Sequence, residues 1–122
     1  VVLNKRIKKL IHNKNGGGAM AITKKYSRNK EVCKVTFTIP KEVASNFQKI
    51  ALVGEFNNWD PDAIHFTERE KDGSFSVSIE LPTGREYAFR YLADGVTWMN
   101  EPEADKFTPT GYGDSENSVI IL

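Results

Sequence analysis

A chain with one cysteine closes no disulfide on itself, and Cys33 is the only cysteine among these 122 residues. The two histidines, His12 and His65, stand far apart, and without a Cys-x-x-Cys pair they offer no structural zinc site. Low cysteine content of this kind fits a reducing, cytoplasmic setting. No apolar run approaches the roughly 20 residues that a membrane helix needs. Lys5, Arg6, Lys8 and Lys9 also interrupt what would have to be the apolar stretch of a signal peptide. Acidic residues are missing from one region altogether. Residues 1–30 hold nine of the 17 Lys and Arg and none of the 16 Asp and Glu, which leaves eight basic against sixteen acidic residues from Glu31 onward, a net charge of −8. A compact unit so rich in carboxylates repels a phosphate backbone, so nucleic-acid binding is assigned to the basic leader or to nothing.

The length suits one domain. Residues 1–30 read as a basic leader, and residues 31–122 as the folded module. Within the leader, Leu3, Ile7, Leu10 and Ile11 recur at helical spacing, and Gly16-Gly17-Gly18 then reads as a flexible linker. Two origins stay open for this flexible or helical leader: an engineered or tag-derived extension, or a native segment that binds a partner or a membrane surface.

From Val32 the period changes to two. Cys33, Val35, Phe37 and Ile39 alternate with Val32, Lys34, Thr36 and Thr38, which places an apolar row on one face of a strand. Phe75 to Leu81 alternates in the same way, and so do Tyr87, Phe89 and Tyr91 against Ala88, Arg90 and Leu92. Ile50 to Phe56 and Ser118 to Leu122 are apolar on both faces, as core strands are. Lys71-Asp72-Gly73, Pro82-Thr83-Gly84 and Asp94-Gly95 mark turns. The pattern predicts an all-β antiparallel sandwich of about seven strands, at 32–39, 49–55, 64–68, 75–81, 86–92, 97–99 and 117–122.

The residues with chemical interest sit at strand ends and turns. Trp59, in Glu55-Phe56-Asn57-Asn58-Trp59-Asp60-Pro61, follows a strand into a turn; it either presents its ring to solvent or folds back over the core. Trp98 lies among polar neighbours just after Asp94-Gly95. A pyranose has an apolar C–H face and a rim of hydroxyls, so exposed indoles suit it as floors and Arg or Asn side chains suit its edge. Arg90, out of phase with Phe89 and Tyr91, points away from the core as a rim candidate or as an ordinary solvated arginine. Asn117 and Tyr112, the latter in Gly111-Tyr112-Gly113, complete the set.

Several ordered segments together carry a resemblance: Val53-Gly54-Glu55-Phe56-Asn57-Asn58-Trp59, Leu81 through Tyr91, Asp94-Gly95, Trp98, Glu101-Pro102 and Glu116-Asn117-Ser118-Val119. From about Val32 to Leu122 the chain resembles the family-48 carbohydrate-binding modules. That family includes the glycogen-binding domain of the AMP-activated protein kinase beta subunit and the N-terminal domains of isoamylase and glycogen branching enzymes. The resemblance implies an immunoglobulin-like (early-set) fold and binding of α-1,4-glucan such as glycogen, starch or maltooligosaccharides. It casts Trp59 and Trp98 as stacking platforms, Arg90 as a basic rim residue and Asn117 as a hydrogen-bond partner. A glycoside hydrolase or kinase partner is the protein companion it suggests, with docking on such a partner as the alternative role. Two departures stand out: Val96 and Thr97 separate Asp94-Gly95 from Trp98 where the kinase domain has one residue, and Tyr112 occupies a loop where that domain presents an apolar side chain.

Catalysis is not expected. Glu55, Asp60, Asp62, Asp94, Asp114 and Glu116 lie at turns and strand ends, where solvated carboxylates are the rule, and the chain has no room for a catalytic barrel beside the sandwich. Neither Asp60-Pro61-Asp62 nor Asp114-Ser115-Glu116 has the ligand spacing of a calcium loop. No cofactor and no metal are expected.

Overall fold

Cys33, Val35, Phe37 and Ile39 are fully buried, while the residues between them reach the surface, so the period-two pattern is realised as strand β2 (Val32–Ile39). The computed structural model describes residues 20–122. The other described strands are β1 (Ala21–Tyr26), β3 (Ile50–Gly54), β4 (Glu68–Arg69), β5 (Phe75–Pro82), β6 (Glu86–Ala93), β7 (Thr97–Met99), β8 (Lys106–Pro109) and β9 (Glu116–Ile121). A single turn of helix, α1 (Lys41–Ala44), and a 3-10 turn at Glu55–Asn57 complete the described elements.

The strands form two antiparallel sheets, one ordered β1-β2-β5-β4 and the other β3-β6-β9-β8, with β7 also paired to β6. Their inner faces share one core. Phe37 of the first sheet meets Phe89 of the second edge-on at 5.2 Å between ring centroids, and Phe89 meets Tyr91 at 5.8 Å. The Tyr87 hydroxyl donates to the Pro82 carbonyl at 2.7 Å and locks the β5–β6 turn, as a tyrosine corner does in immunoglobulin-like sandwiches. The architecture is the all-β immunoglobulin-like sandwich expected.

Three local differences have physical causes. β1 lies inside the segment set apart as a leader, so the sandwich begins about ten residues before Glu31. Its inward row, Ile22, Lys24 and Tyr26, faces Phe37, Val35 and Cys33. Lys24 sits at the open seam, where its ammonium reaches Asp105 at 2.6 Å and the Ile121 carbonyl at 3.1 Å on the opposite sheet. An inward charge at a sheet edge hides the strand from a hydrophobic pattern. β8, read as loop, is likewise an edge strand, and it ends on Pro109. The strand expected at 64–68 is split: His65 bridges to Ala51 of β3, and the chain then crosses to pair Glu68 and Arg69 with β5. The possible helix at 1–14, the glycines at 16–18 and His12 lie outside the described residues.

Candidate functional site

The outer face of the second sheet carries the site. Tyr87, Phe89, Tyr91 and Ala93 of β6 enter the core, so Ala88, Arg90 and Leu92 point the other way. Register carries that face onto the neighbours. Val53 of β3 pairs with Arg90, Trp98 of β7 with Leu92, and Asn117 of β9 with Thr108 of β8. The β6–β7 turn that sets Trp98 in register has Asp94 and Gly95 both at positive φ, 51° and 74°, and closes with the Val96 N–H donating to the Ala93 carbonyl. Val96, which stands between this turn and Trp98, is 78% exposed.

Trp59 arrives from the 3-10 turn. The Asn57 side chain accepts from the Gly54 N–H at 3.1 Å and donates to the Leu52 carbonyl at 2.9 Å, fixing the turn to β3. Asn58 and Trp59 then both adopt left-handed backbone, φ 59° and 58°, and the Trp59 N–H closes back on the Gly54 carbonyl at 2.8 Å. A bulky residue rarely takes that conformation. Here it turns the indole outward, leaving it 38% exposed, and Trp98 is 47% exposed. The alternative in which Trp59 folds over the core does not hold.

Tyr112 caps the β8–β9 loop and is 83% exposed. The loop closes on itself: the Thr110 and Ser115 hydroxyls bond each other, Ser115 Oγ donates to the Tyr112 carbonyl at 2.7 Å, and the Tyr112 N–H donates to Thr110 Oγ1 at 3.1 Å.

These elements enclose an open groove of about 420 Å³ lined by Trp59, Arg90, Trp98, Thr110, Tyr112, Ser115 and Asn117. All five residues singled out from the sequence meet in it. Thr110 and Ser115 were missed, although a hydroxyl residue at each end of a Gly-Tyr-Gly loop is the available signal. Arg90 is the one charged side chain in the lining; its guanidinium lies over the Trp98 ring at 5.4 Å from the centroid, within cation–π range.

Beneath the groove a buried polar network ties β6 to β9. Glu101 is fully buried; it accepts from the Tyr91 hydroxyl at 2.6 Å and from the Glu103 N–H at 2.8 Å. Its own N–H donates to Ser118 Oγ, which donates to Asn100 Oδ1, and Asn100 Nδ2 donates to the Glu116 carbonyl next to Asn117. Burial pushes the Glu101 carboxyl up to about 7, against the opposing pull of those two hydrogen bonds, with the Glu103 charge adding to burial. Burial and the Glu101 charge raise the Tyr91 hydroxyl well above its ordinary range.

Three of the carboxylates weighed as acids or bases hold backbone instead. Glu55 accepts from the Ala88 N–H, Asp94 from the Gln48 and Lys49 N–H groups, and Asp60 from the Asp62 N–H. Among the described residues no group of three His, Cys, Asp or Glu is placed to hold a metal ion, and no helix is long and apolar enough to cross a membrane.

Residues 27–106 match the family model of carbohydrate-binding module 48, the isoamylase N-terminal domain. The chain belongs to that family. Family-48 modules are sandwiches of this kind, and the match runs from the end of β1 to the first residue of β8. The module is 34% identical over 70 residues to a 1,4-alpha-glucan-branching enzyme, chloroplastic/amyloplastic, of Oryza sativa subsp. japonica, covering 52% of this chain and 8% of that enzyme. It is 35% identical over 57 residues to the 1,4-alpha-glucan-branching enzyme of Saccharomyces cerevisiae, covering 46% of this chain and 8% of that enzyme. The stretch matched is thus a small part of each curated relative.

Proposed function

We propose that the module binds α-1,4-glucan without acting on it chemically, by stacking glucosyl units on Trp59 and Trp98. One observation carries this reading: two exposed indoles, a tyrosine, an arginine and an asparagine, drawn from five separate elements of the chain, line one groove. Trp59 and Trp98 offer faces to the C–H side of the sugar, Arg90 and Asn117 meet its hydroxyls, and Tyr112 closes over it from the loop. A groove this open, with few polar partners, suits a weak to moderate affinity, roughly micromolar to millimolar in Kd. Two relatives named for 1,4-α-glucan branching support the choice of polymer. Catalysis in a protein carrying this module belongs to another domain or to a glycoside hydrolase or kinase partner. The single cysteine, Cys33, supports a reducing setting such as the cytoplasm, while the rice relative is named chloroplastic/amyloplastic.

Titration with maltoheptaose is the test. We expect tryptophan fluorescence to change saturably, and Trp59→Ala to abolish retention on an amylose column. Unchanged retention of that variant would count against stacking on Trp59, and no response to any oligosaccharide together with co-purification of a partner protein would instead support the docking role.

A further inference from the structure

A second hollow, about 160 Å³, adjoins the groove on the same outer face. Its apolar side is Ala51, Pro61 and Leu92, and its polar side is Lys49, Asp62 and His65. The two hollows have no lining residue in common, but their linings neighbour each other at two places. Leu92, in the second, pairs across β6–β7 with Trp98, in the first. Pro61 follows Trp59 by two residues in the same loop. Beneath this face Ala51, Val53 and Leu92 form a buried apolar cluster separate from the sandwich core, and the step from the Val53–Arg90 pair to the Ala51–Leu92 pair is two residues on each strand. At the rise of an antiparallel strand that step is about 7 Å, a length that one or two linked pyranoses span.

The chemistry of the rim narrows the ligand. Lys49 supplies donors and Asp62 acceptors on one small opening, so their charges offset and neither a phosphate nor a carboxylate is favoured there. Neighbouring sugar hydroxyls, which both donate and accept, match such a pair. We propose that a glucan lying on Trp59 and Trp98 continues past the Trp98–Leu92 pair, placing a further glucosyl unit of the same chain on Pro61 and Leu92 with its hydroxyls bonded by Lys49, Asp62 and His65. This inference rests on the glucan reading above and adds to it a dependence on chain length.

Calorimetric titration of the chain with maltotriose and with maltoheptaose tests it, using the wild type and a Lys49→Ala, Asp62→Ala double variant. Both side chains are exposed, so the fold is expected to persist. Loss of two hydrogen bonds to sugar weakens maltoheptaose by about fivefold, and maltotriose, which the first groove accommodates, by less than about 1.5-fold. In wild-type NMR spectra the amides of Ala51 and Leu92 shift with maltoheptaose and stay still with maltotriose. Equal weakening of both sugars, no weakening of either, or shifts confined to Trp59 and Arg90 would overturn the extended path while leaving the first groove intact. Absence of any binding at either length overturns the glucan reading itself, and this inference with it.

Discussion

The Arg90 guanidinium lies over the Trp98 indole at 5.4 Å, while its Nε is buried with no hydrogen-bond partner among the described residues. A planar cation held against one ring keeps that ring from turning freely and keeps a donor fork at the groove.

Arg90→Ala removes both effects, and we expect maltoheptaose affinity to fall about tenfold, consistent with the loss of a charge-assisted hydrogen bond. Arg90→Lys keeps the charge but not the fork, so it recovers only part of that loss. Because β6 is anchored by its inward row, urea unfolding midpoints of the two variants stay close to wild type. Full affinity in Arg90→Ala would remove Arg90 from the site.

Trp59 sits in left-handed backbone, which permits a test of opposite signs. Trp59→Ala and Trp59→Gly are both expected to abolish retention on amylose. At this φ of 58°, however, the glycine variant is expected to be the more stable of the two by about 1 kcal/mol, the reverse of the order found in ordinary strand or helix positions. Chemical denaturation of both variants reads the difference. Alanine equal to or above glycine argues that the turn carries no strain.

Gly54 has extended backbone, φ −168°, so its importance is one of space. A Cβ there would lie 2.7 Å from the Ala88 carbonyl oxygen, 2.7 Å from Phe89 Cβ and 2.9 Å from Phe56 Cζ. The first two belong to β6 and cannot yield without moving the strand. Gly54→Ala should cost about 1–3 kcal/mol of stability. It should also weaken glucan binding, since Gly54 anchors the Trp59 turn and β6 carries Arg90. Thermal unfolding with a parallel maltoheptaose titration checks both, and a variant of unchanged melting temperature contradicts the packing argument.

Glu101 gives stability a pH dependence of definite sign. Its carboxyl ionises near 4.5 when exposed and near 7 in the fold. Between those values the folded state binds more protons than the unfolded chain, so stability falls as pH rises and levels off above about pH 7. The full shift corresponds to about 3 kcal/mol. Glu101→Gln, neutral at every pH, should flatten the slope between about pH 5 and about pH 8 in urea unfolding. Parallel profiles for variant and wild type would place the titration elsewhere.

Tyr91→Phe tests the same network from its other end. It removes the hydroxyl bonded to Glu101 Oε1 and leaves a buried acceptor unmet, at a cost of about 1–3 kcal/mol. The penalty is expected to be larger at about pH 8, where the carboxylate is charged, than at about pH 5. Denaturation at the two values distinguishes this from a simple packing loss, which would be independent of pH.

Strands whose inner rows are wholly apolar, such as Val32–Ile39 and Phe75–Leu81, could be read directly, because period-two burial is imposed by the pleat itself. Edge strands could not. Lys24 is drawn inward by a partner 81 residues away, Asp105, and nothing local in Thr23-Lys24-Lys25 announces it. Phe107 and Pro109 read as loop for a similar reason: an edge strand tolerates residues that a central one excludes. Of the site, Arg90 could be read as outward-facing, since a guanidinium out of phase with the Phe89 and Tyr91 row has to face solvent, whereas Trp59, in a turn, stayed open between solvent and core. That they meet depends on the register between β6, β7 and β9 and on the left-handed turn at Asn58 and Trp59. Nothing near Glu101 in the sequence marks it as buried, because burial of a carboxylate depends on partners far along the chain, Ser118 among them.

The Lys24 clasp across the open seam bears on where this module can be cut. Trimming to the span that matches the family model, 27–106, would discard β1 together with the clasp, uncovering Phe37 and Val35 along one flank. It would also sever β9 and the Tyr112 loop, and with them a third of the groove's aromatic wall. The matched span is thus shorter than the two-sheet sandwich, and fusions or truncations meant to keep the groove should run from Ala21 to the end of β9.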